Sequence, residues 1–489
     1  MKALRPHLLI VLDDRELASG EVKSIVGARR FGDITFKRQR LAAHFRAALP
    51  AWARPGLLHL CGDGDVPLLR EAIEAGGNSV AVLVVSARAG FDSWGHLGQL
   101  VERLPYADED FTDRLYKPLV VFFHQAQGLV QRWPEFARQP LHHSEAAWHN
   151  AQRVQSVQPV DLAQIRDFLT FISGATATRH FNEMHGDAFH YTKRSVDVAK
   201  MQAEYRFYQL VPEGMRPWLV ETFDFQRDQG QASYKMLRYY LADAALQWVH
   251  GAFEAGAFDA FVERLMFFIC SRPRRGCARA ASAVVSEGLF VKKLQHRTQQ
   301  FLASPEGQRI NQLAVSTDAV LDLTALVQRF TGLYQRHAKE FACDYEVIGH
   351  GDPCFSNVLY DQRRYLLKLI DPKGAAEESQ LWTHPLYDLC KLSHSVLGDY
   401  DFINNGLYRV DFNDDNRLEL RIEYASTGHA LLKQRFVRAV SGAGYRPWVM
   451  RLGEASLFLS MLPLHMDYPN KVLAFMLRAA SILDEVERE

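Results

Sequence analysis

The chain has 489 residues, too many for one ordinary hydrophobic core, so two or three domains are expected. Apolar residues make up 48% and charged residues 23%, and 57 basic side chains balance 57 acidic ones for a formal net charge of +0. That balance is ordinary for a globular protein and argues against a nucleic-acid binder, whose domain would be basic; no apolar stretch approaches the roughly 20 residues that span a bilayer.

Taken in chain order, Leu8 to Leu12 reads as a buried strand. Asp13 and Asp14 cut that run short and no small-residue cleavage site follows, so no signal peptide is expected. Phe36 to Leu49 has helical spacing, Gly56 to Cys61 is strand-like, Asp65 to Ala75 is helical, and Ser79 to Ser86 and Pro118 to Phe123 are two more apolar strands. Such alternation predicts an α/β domain over residues 1–150. Arg138 to Gln158, rich in His, Gln and Ser, reads as a linker. Phe168 to Ile172 reads as a strand leading into Gly174-Ala175-Thr176-Ala177-Thr178, and Ala188 to Lys193 as another. Asp197 to Leu210 has helical periodicity, Val220 to Phe225 and Ala232 to Tyr240 suggest two further strands, and Ala244 to about Phe341 is mostly helical. The tail from Asp388 is helical too, apart from a hairpin around Leu407 to Tyr424. The six cysteines form no CxxC pair, which fits reduced thiols in a cytoplasmic protein.

The most informative string is His350-Gly351-Asp352-Pro353-Cys354-Phe355-Ser356-Asn357, followed by the strand Tyr365 to Ile370 and then Asp371. An acid, an amide and a second acid are thereby spaced along a loop-strand-loop segment. Transfer of a nucleotide's terminal phosphoryl group needs such a set, with one carboxylate to orient the acceptor hydroxyl and an amide and a carboxylate to hold Mg2+ against the phosphates. Magnesium favours oxygen ligands, and a base must lie within hydrogen-bond reach of its target. A lone His-Gly-Asp would be ordinary turn chemistry; the full string with its terminal Asp is far more specific.

This string resembles the aminoglycoside phosphotransferase and choline kinase group, small-molecule relatives of the protein kinases, and its wording resembles a branch found among polysaccharide-biosynthesis proteins. The resemblance covers the last two thirds of the chain. It implies an α+β, bilobal protein-kinase-like fold, with a small β-rich lobe over 160–243 and a large helical lobe over 244–489, preceded by the α/β domain. It also implies an ATP- and Mg2+-dependent kinase of small molecules, with Asp352 as the catalytic residue and Asn357 and Asp371 as metal ligands. Lys193, at the end of a strand, and Glu204, on the next helix, stand in the order and spacing of the phosphate-contacting lysine and its glutamate partner. Arg194, Lys200 and Glu183 compete for those roles, and the bland alternative is a surface Lys and a solvated Glu. Thr176 falls in the segment placed over the nucleotide, although the GxGxxG of protein kinases is absent. Met236 falls in the strand and hinge beside the adenine, where plain core is the alternative. Asp388 is read as support for the catalytic loop, and Lys391 and His394 as lining of the acceptor site. The basic run of Arg272, Arg274, Arg275 and Arg279 reads either as a grip on an anionic acceptor or as a solvated loop.

In the first segment, Asp13-Asp14-Arg15 follows a strand as a metal-binding turn would, but without a DxDxT pattern. Gly27 to Asp33, with Lys37 beyond, faintly resembles the start of sugar-nucleotide transferases, with the wrong glycine spacing. Gly62-Asp63-Gly64-Asp65 suits either a metal or a strand-to-helix turn. A degenerate or structural domain is the reading here. The acceptor is expected to be a hydroxyl of a sugar or sugar-derived precursor, in surface polysaccharide biosynthesis. A non-catalytic nucleotide-binding or scaffold protein, or a bifunctional kinase and nucleotidyltransferase, are the alternatives.

Overall fold

Six consecutive buried residues, Leu8–Asp13, form an inner strand of the first sheet. A run with no polar alternation is what a strand covered on both faces requires. In the computed structural model the residues described are 8–77, 80–144, 148, 151–153, 158–173, 182–228, 230–414 and 417–489. The chain divides into two compact units, Met1–Ala177 and Thr178–Glu489.

In the first unit the strand order is Leu57–Leu60, Leu8–Asp13, Ala81–Ser86, Val120–Phe123, Phe111–Thr112, Gln152–Arg153. The first three are parallel, and Val120–Phe123 runs antiparallel to Ala81–Ser86. The helices Leu41–Ala48, Val66–Gly76 and Trp94–Arg103 lie between strands in sequence, each burying one apolar stripe. Two expectations need correction. Ile165–Ser173 is a helix, not a strand. Its buried residues, Phe168, Leu169, Phe171 and Ile172, are spaced three and four apart across the pairs, a helical stripe that a short apolar run conceals. The segment read as a linker is built into the unit: Gln152–Arg153 joins the sheet edge and Trp148 is buried under Phe123.

The second unit is α+β. Its antiparallel sheet has the order Asn182–Gly186, His190–Ser195, Gln231–Leu237, Thr222–Asp228. Ala232, Tyr234 and Met236 alternate inward with period two. The helix Val198–Leu210 crosses this sheet, capped by the Asp197 carboxylate, which accepts the Lys200 N–H at 3.0 Å. The remainder is mostly helical, around a core that includes Trp248, Phe258, Phe261, Phe290, Phe458 and Phe475. The hairpin in the tail is present as Tyr408–Phe412 paired with Leu418–Ile422. No described helix is long and apolar enough to cross a membrane.

Candidate active site

The segment around Asp352 is held from below by one buried carboxylate. Asp388, near the start of the helix Leu386–Val396, accepts the N–H groups of His350 at 2.9 Å and Gly351 at 2.7 Å. Arg272 donates to the same carboxylate at 2.7 Å, and both side chains are inaccessible. Arg272 is therefore a support of the loop and no grip for an acceptor, while Arg275 is committed to Glu346 at 2.7 Å. Gly351 sits at φ +84°, and a Cβ there would come within 2.5 Å of the Lys373 Cβ. The Asp352 N–H donates to His350 Nδ1 at 3.3 Å. Burial lowers the pKa of that imidazole despite the carboxylates around it, so it is neutral and accepts the bond.

Phe355 anchors the far end of the loop. It is fully buried, edge-on to Phe261 at 5.2 Å and to Trp248 at 6.0 Å. Burying one such ring contributes about 1.5–3 kcal/mol. With both ends fixed, the Asp352 side chain remains 40% exposed, 3.0 Å from the Lys391 ammonium. Desolvation would raise the Asp352 pKa, but the charge and hydrogen bond of Lys391 outweigh it and hold the carboxyl below its ordinary value. Lys293 donates to the Tyr387 hydroxyl at 2.8 Å and adds a second positive charge to this neighbourhood. His394, read as acceptor lining, is instead fully buried, stacked on Tyr400 and edge-on to Phe458.

The hairpin Val358–Asp361 with Leu366–Leu369 explains the spacing of the amide and the second acid. Its register sets Val358 opposite Leu369, so Asn357 and Ile370 meet at the open end, with the Ile370 N–H donating to the Asn357 carbonyl at 3.0 Å. Asn357 Nδ2 donates to the Asp352 carbonyl at 2.9 Å, which leaves its Oδ1 as the atom for a cation. Asp371 follows with φ +54°, an uncommon conformation for a residue with a Cβ, and its side chain is 38% exposed. The next turn is locked to its surroundings: Lys373 N–H donates to the His350 carbonyl at 2.9 Å and Ala375 N–H to the Ala203 carbonyl at 3.0 Å. Gly374, at φ +86°, permits that approach, since a Cβ there would lie 2.8 Å from the Glu204 nitrogen.

Lys193 joins the sheet to this loop. Its ammonium donates to Glu204 at 2.7 Å and to Asp371 at 3.0 Å. Lys193 and Glu204 are buried, and the Tyr234 hydroxyl, on the strand opposite Lys193, donates to the same Glu204 oxygen at 2.9 Å. Burial would lower the lysine's pKa, but Asp371 and Glu204 outweigh it and hold it above the ordinary value. Lys200 reaches Glu204 only at 3.7 Å, and Arg194 lies opposite Glu183 of the neighbouring edge strand. Met236 is buried two residues beyond Tyr234, beside a hollow of about 20 Å³ that Glu204, Tyr234, Ile370 and Asp371 also line. Thr176 and the whole of residues 174–178 lie outside the described residues.

Among solved structures, the chain is similar to a thermostable mutant of aminoglycoside phosphotransferase APH(4)-Ia in its apo form, at 11% identity and a TM-score of 0.35 over 65% of this chain and 98% of that one. It is similar to glucosamine kinase at 11% identity and a TM-score of 0.39, over 69% and 86%. A glucosamine kinase complex with glucosamine, ADP and inorganic phosphate gives 10% identity and 0.36 over 66% and 81%. No family model matches the chain and no curated protein matches it.

The acidic motifs of the first unit are occupied internally. Asp13 takes a two-point contact from Arg15, both at 2.8 Å; Asp14 accepts the Gly32 N–H at 2.9 Å and pairs with His59 at 3.0 Å. Asp65 accepts the N–H groups of Cys61 and Gly62 at 2.7 and 3.0 Å, which is turn chemistry. Sequence reasoning missed Tyr234 and Lys293, whose contacts cross 30 and 94 residues with no local pattern to announce them.

Proposed function

We propose that this chain is an ATP- and Mg2+-dependent phosphotransferase that acts on a hydroxyl of a sugar or sugar-derived small molecule. The observation that carries the reading is the meeting of Lys193, Glu204 and Asp371 at 2.7 and 3.0 Å, from a strand, a helix and a loop, across 178 residues of sequence. Asp352 orients the acceptor hydroxyl. Lys391 keeps its carboxylate ionised and therefore weakly basic, which suits a loose transfer in which the proton leaves late. Lys193 contacts the nucleotide phosphates, and Glu204 and Tyr234 fix the ammonium in place. The backbone from Leu237 to Tyr240 meets the adenine, with Met236 behind it.

The donor set fits magnesium. Asn357 has an amide oxygen to give, because its nitrogen is committed, and Asp371 is a partly exposed carboxylate; both are hard oxygen ligands. Held by Asn357 and Asp371, such an ion would supply positive charge to offset that of the transferred phosphoryl group. Residues 160–243 would supply the nucleotide side and 244–489 the acceptor side, with the α/β segment of residues 1–150 as a structural partner.

The test is ATP consumption by the purified chain across sugars, amino sugars and sugar acids, with mass spectrometry of the products. A product heavier by one phosphoryl group, formed by the wild type and not by Asp352→Asn, is the expected result. Product formation that survives Asp352→Asn, or nucleotide binding with no transfer to any hydroxyl acceptor, would overturn the reading.

A further inference from the structure

Among the described residues, one trio outside the kinase-like site brings metal-ligating atoms together: Glu16, His142 and His143, whose donor atoms lie within 4.8 Å of one another. The fold places the trio where α/β sheets build sites. Glu16 lies three residues past the end of Leu8–Asp13, the middle one of the three parallel strands, from which the chain goes first to Leu57–Leu60 on one side and then to Ala81–Ser86 on the other. The two histidines come from the turn Leu141–His143.

Both imidazoles aim an Nε2 at the same carboxylate oxygen, Glu16 Oε2, His142 at 2.6 Å and His143 at 3.4 Å. Only the first distance is a normal hydrogen bond. A network that served merely to satisfy Glu16 would not need the second ring, which is half-exposed and lies 4.6 Å, centre to centre, from the first. Three ligands on a tetrahedral zinc-class ion stand about 3.3 Å apart, since each bond is near 2.0 Å. The His143 distance already matches that spacing, and His142 would have to withdraw by only about 0.7 Å.

The surroundings suit such an ion. Arg88 binds Asp161 through two nitrogens, at 3.0 and 2.7 Å, and extends a third to Glu16 at 3.1 Å. Its charge is thus largely spent on Asp161, while its contact fixes the Glu16 carboxylate from outside, as second-layer partners of metal ligands do.

We infer that Glu16, His142 and His143 form a site for one zinc-class divalent ion with a fourth position left open. This is independent of the kinase reading, whose metal ligands are oxygen atoms only.

The test uses the full chain, purified without a histidine tag and stripped by chelation, then titrated with Co2+ while visible absorption is recorded. Zn2+ is added in parallel thermal melts. One equivalent of Co2+ should give the intense bands of a low-coordinate nitrogen and oxygen site, displaced by Zn2+, and Zn2+ should raise the melting temperature. An all-oxygen octahedral site gives only faint bands, which separates binding at Asn357 and Asp371. Glu16→Gln and His143→Ala should each lose the bands and the thermal shift; His143 is exposed enough that its loss leaves the fold standing. Absence of intense bands in the wild type, or bands undiminished in both variants, would overturn the site.

Discussion

The two units treat acidic residues near strand ends in opposite ways. In the first, Asp13 and Asp14 keep 2% and 0% of their side-chain surface, and every strong contact they make is internal. In the second, Asp352 and Asp371 keep 40% and 38%, each with one ammonium 3.0 Å away. A carboxylate whose lone pairs are filled by its own fold is structural. One held in place by a cation, with surface left open, can still take a substrate proton or a metal. The contrast rests on burial, because Asp after a strand and a cationic partner are common to both units and distinguish nothing.

The largest way to sharpen the contrast is a pair of substitutions. Asp352→Asn should lower turnover roughly 10²- to 10⁴-fold with nucleotide affinity and melting temperature nearly unchanged. Asp13→Ala should do the reverse. It takes its two-point partner from the Arg15 guanidinium, 3% exposed, leaving it the Phe136 carbonyl at 3.0 Å and Asp63 at 3.6 Å, and should cost about 3 kcal/mol of stability while turnover per folded molecule stays the same. Steady-state kinetics beside denaturant melts separate the two, and loss of turnover in folded Asp13→Ala would break the distinction between the units.

Asp388→Ala comes next. It removes the acceptor of two loop N–H groups and the partner of a fully buried Arg272, so about 3–5 kcal/mol should be lost along with activity. An unperturbed denaturation midpoint would mean that the loop stands without its buried support.

How much of this could be read beforehand follows from sequence distance. The segment His350 to Asp371 was legible because loop, hairpin and acid are contiguous, and pairing Val358 with Leu369 brings Asn357 to Ile370 by register alone. Asp388 was legible as a support by its place in the helix after the loop. Lys193 and Glu204 could be named from a strand followed by a helix, but their link to Asp371 spans 178 residues and no spacing rule contains it. Glu16 and His142 stand 126 residues apart, and no local pattern marks them as neighbours. The helix Ile165–Ser173 was misread because an apolar run of four or five residues satisfies either period, and only burial of its spaced positions decides between them. Arg272 was misread because a charge in a basic run looks solvated until its partner, 116 residues on, is known.

Lys391→Met tests what the open carboxylate owes to its cation. Without the ammonium, desolvation is no longer outweighed and the Asp352 pKa rises. An acid must ionise to accept a proton, so the acid limb of the kcat profile should move to higher pH. A lower plateau with an unmoved limb would show that Lys391 acts elsewhere than on Asp352.

The smallest expected effect concerns Asp401, which is fully buried and near Asp352 yet has no cation paired with it among the described residues. Burial pushes its pKa up to about 7, against the opposing Ser395 hydroxyl and with the help of Asp243 and Asp399. The folded protein therefore binds a proton more tightly at this site than the unfolded chain does. Its contribution to stability is whole below the unfolded value of 3.8 and is lost as pH rises through about 7. Asp401→Asn carries no such dependence, so its thermal advantage over the wild type should be small near pH 5, grow through pH 7 and level off above. By pH 8 it should be on the order of 5 °C. An advantage constant between pH 5 and 8 would mean that Asp401 is ionised throughout in the fold. In that case a carboxylate in this unit could stay charged with neither a cation nor solvent beside it, and the rule drawn from Asp352 and Asp371 would fail.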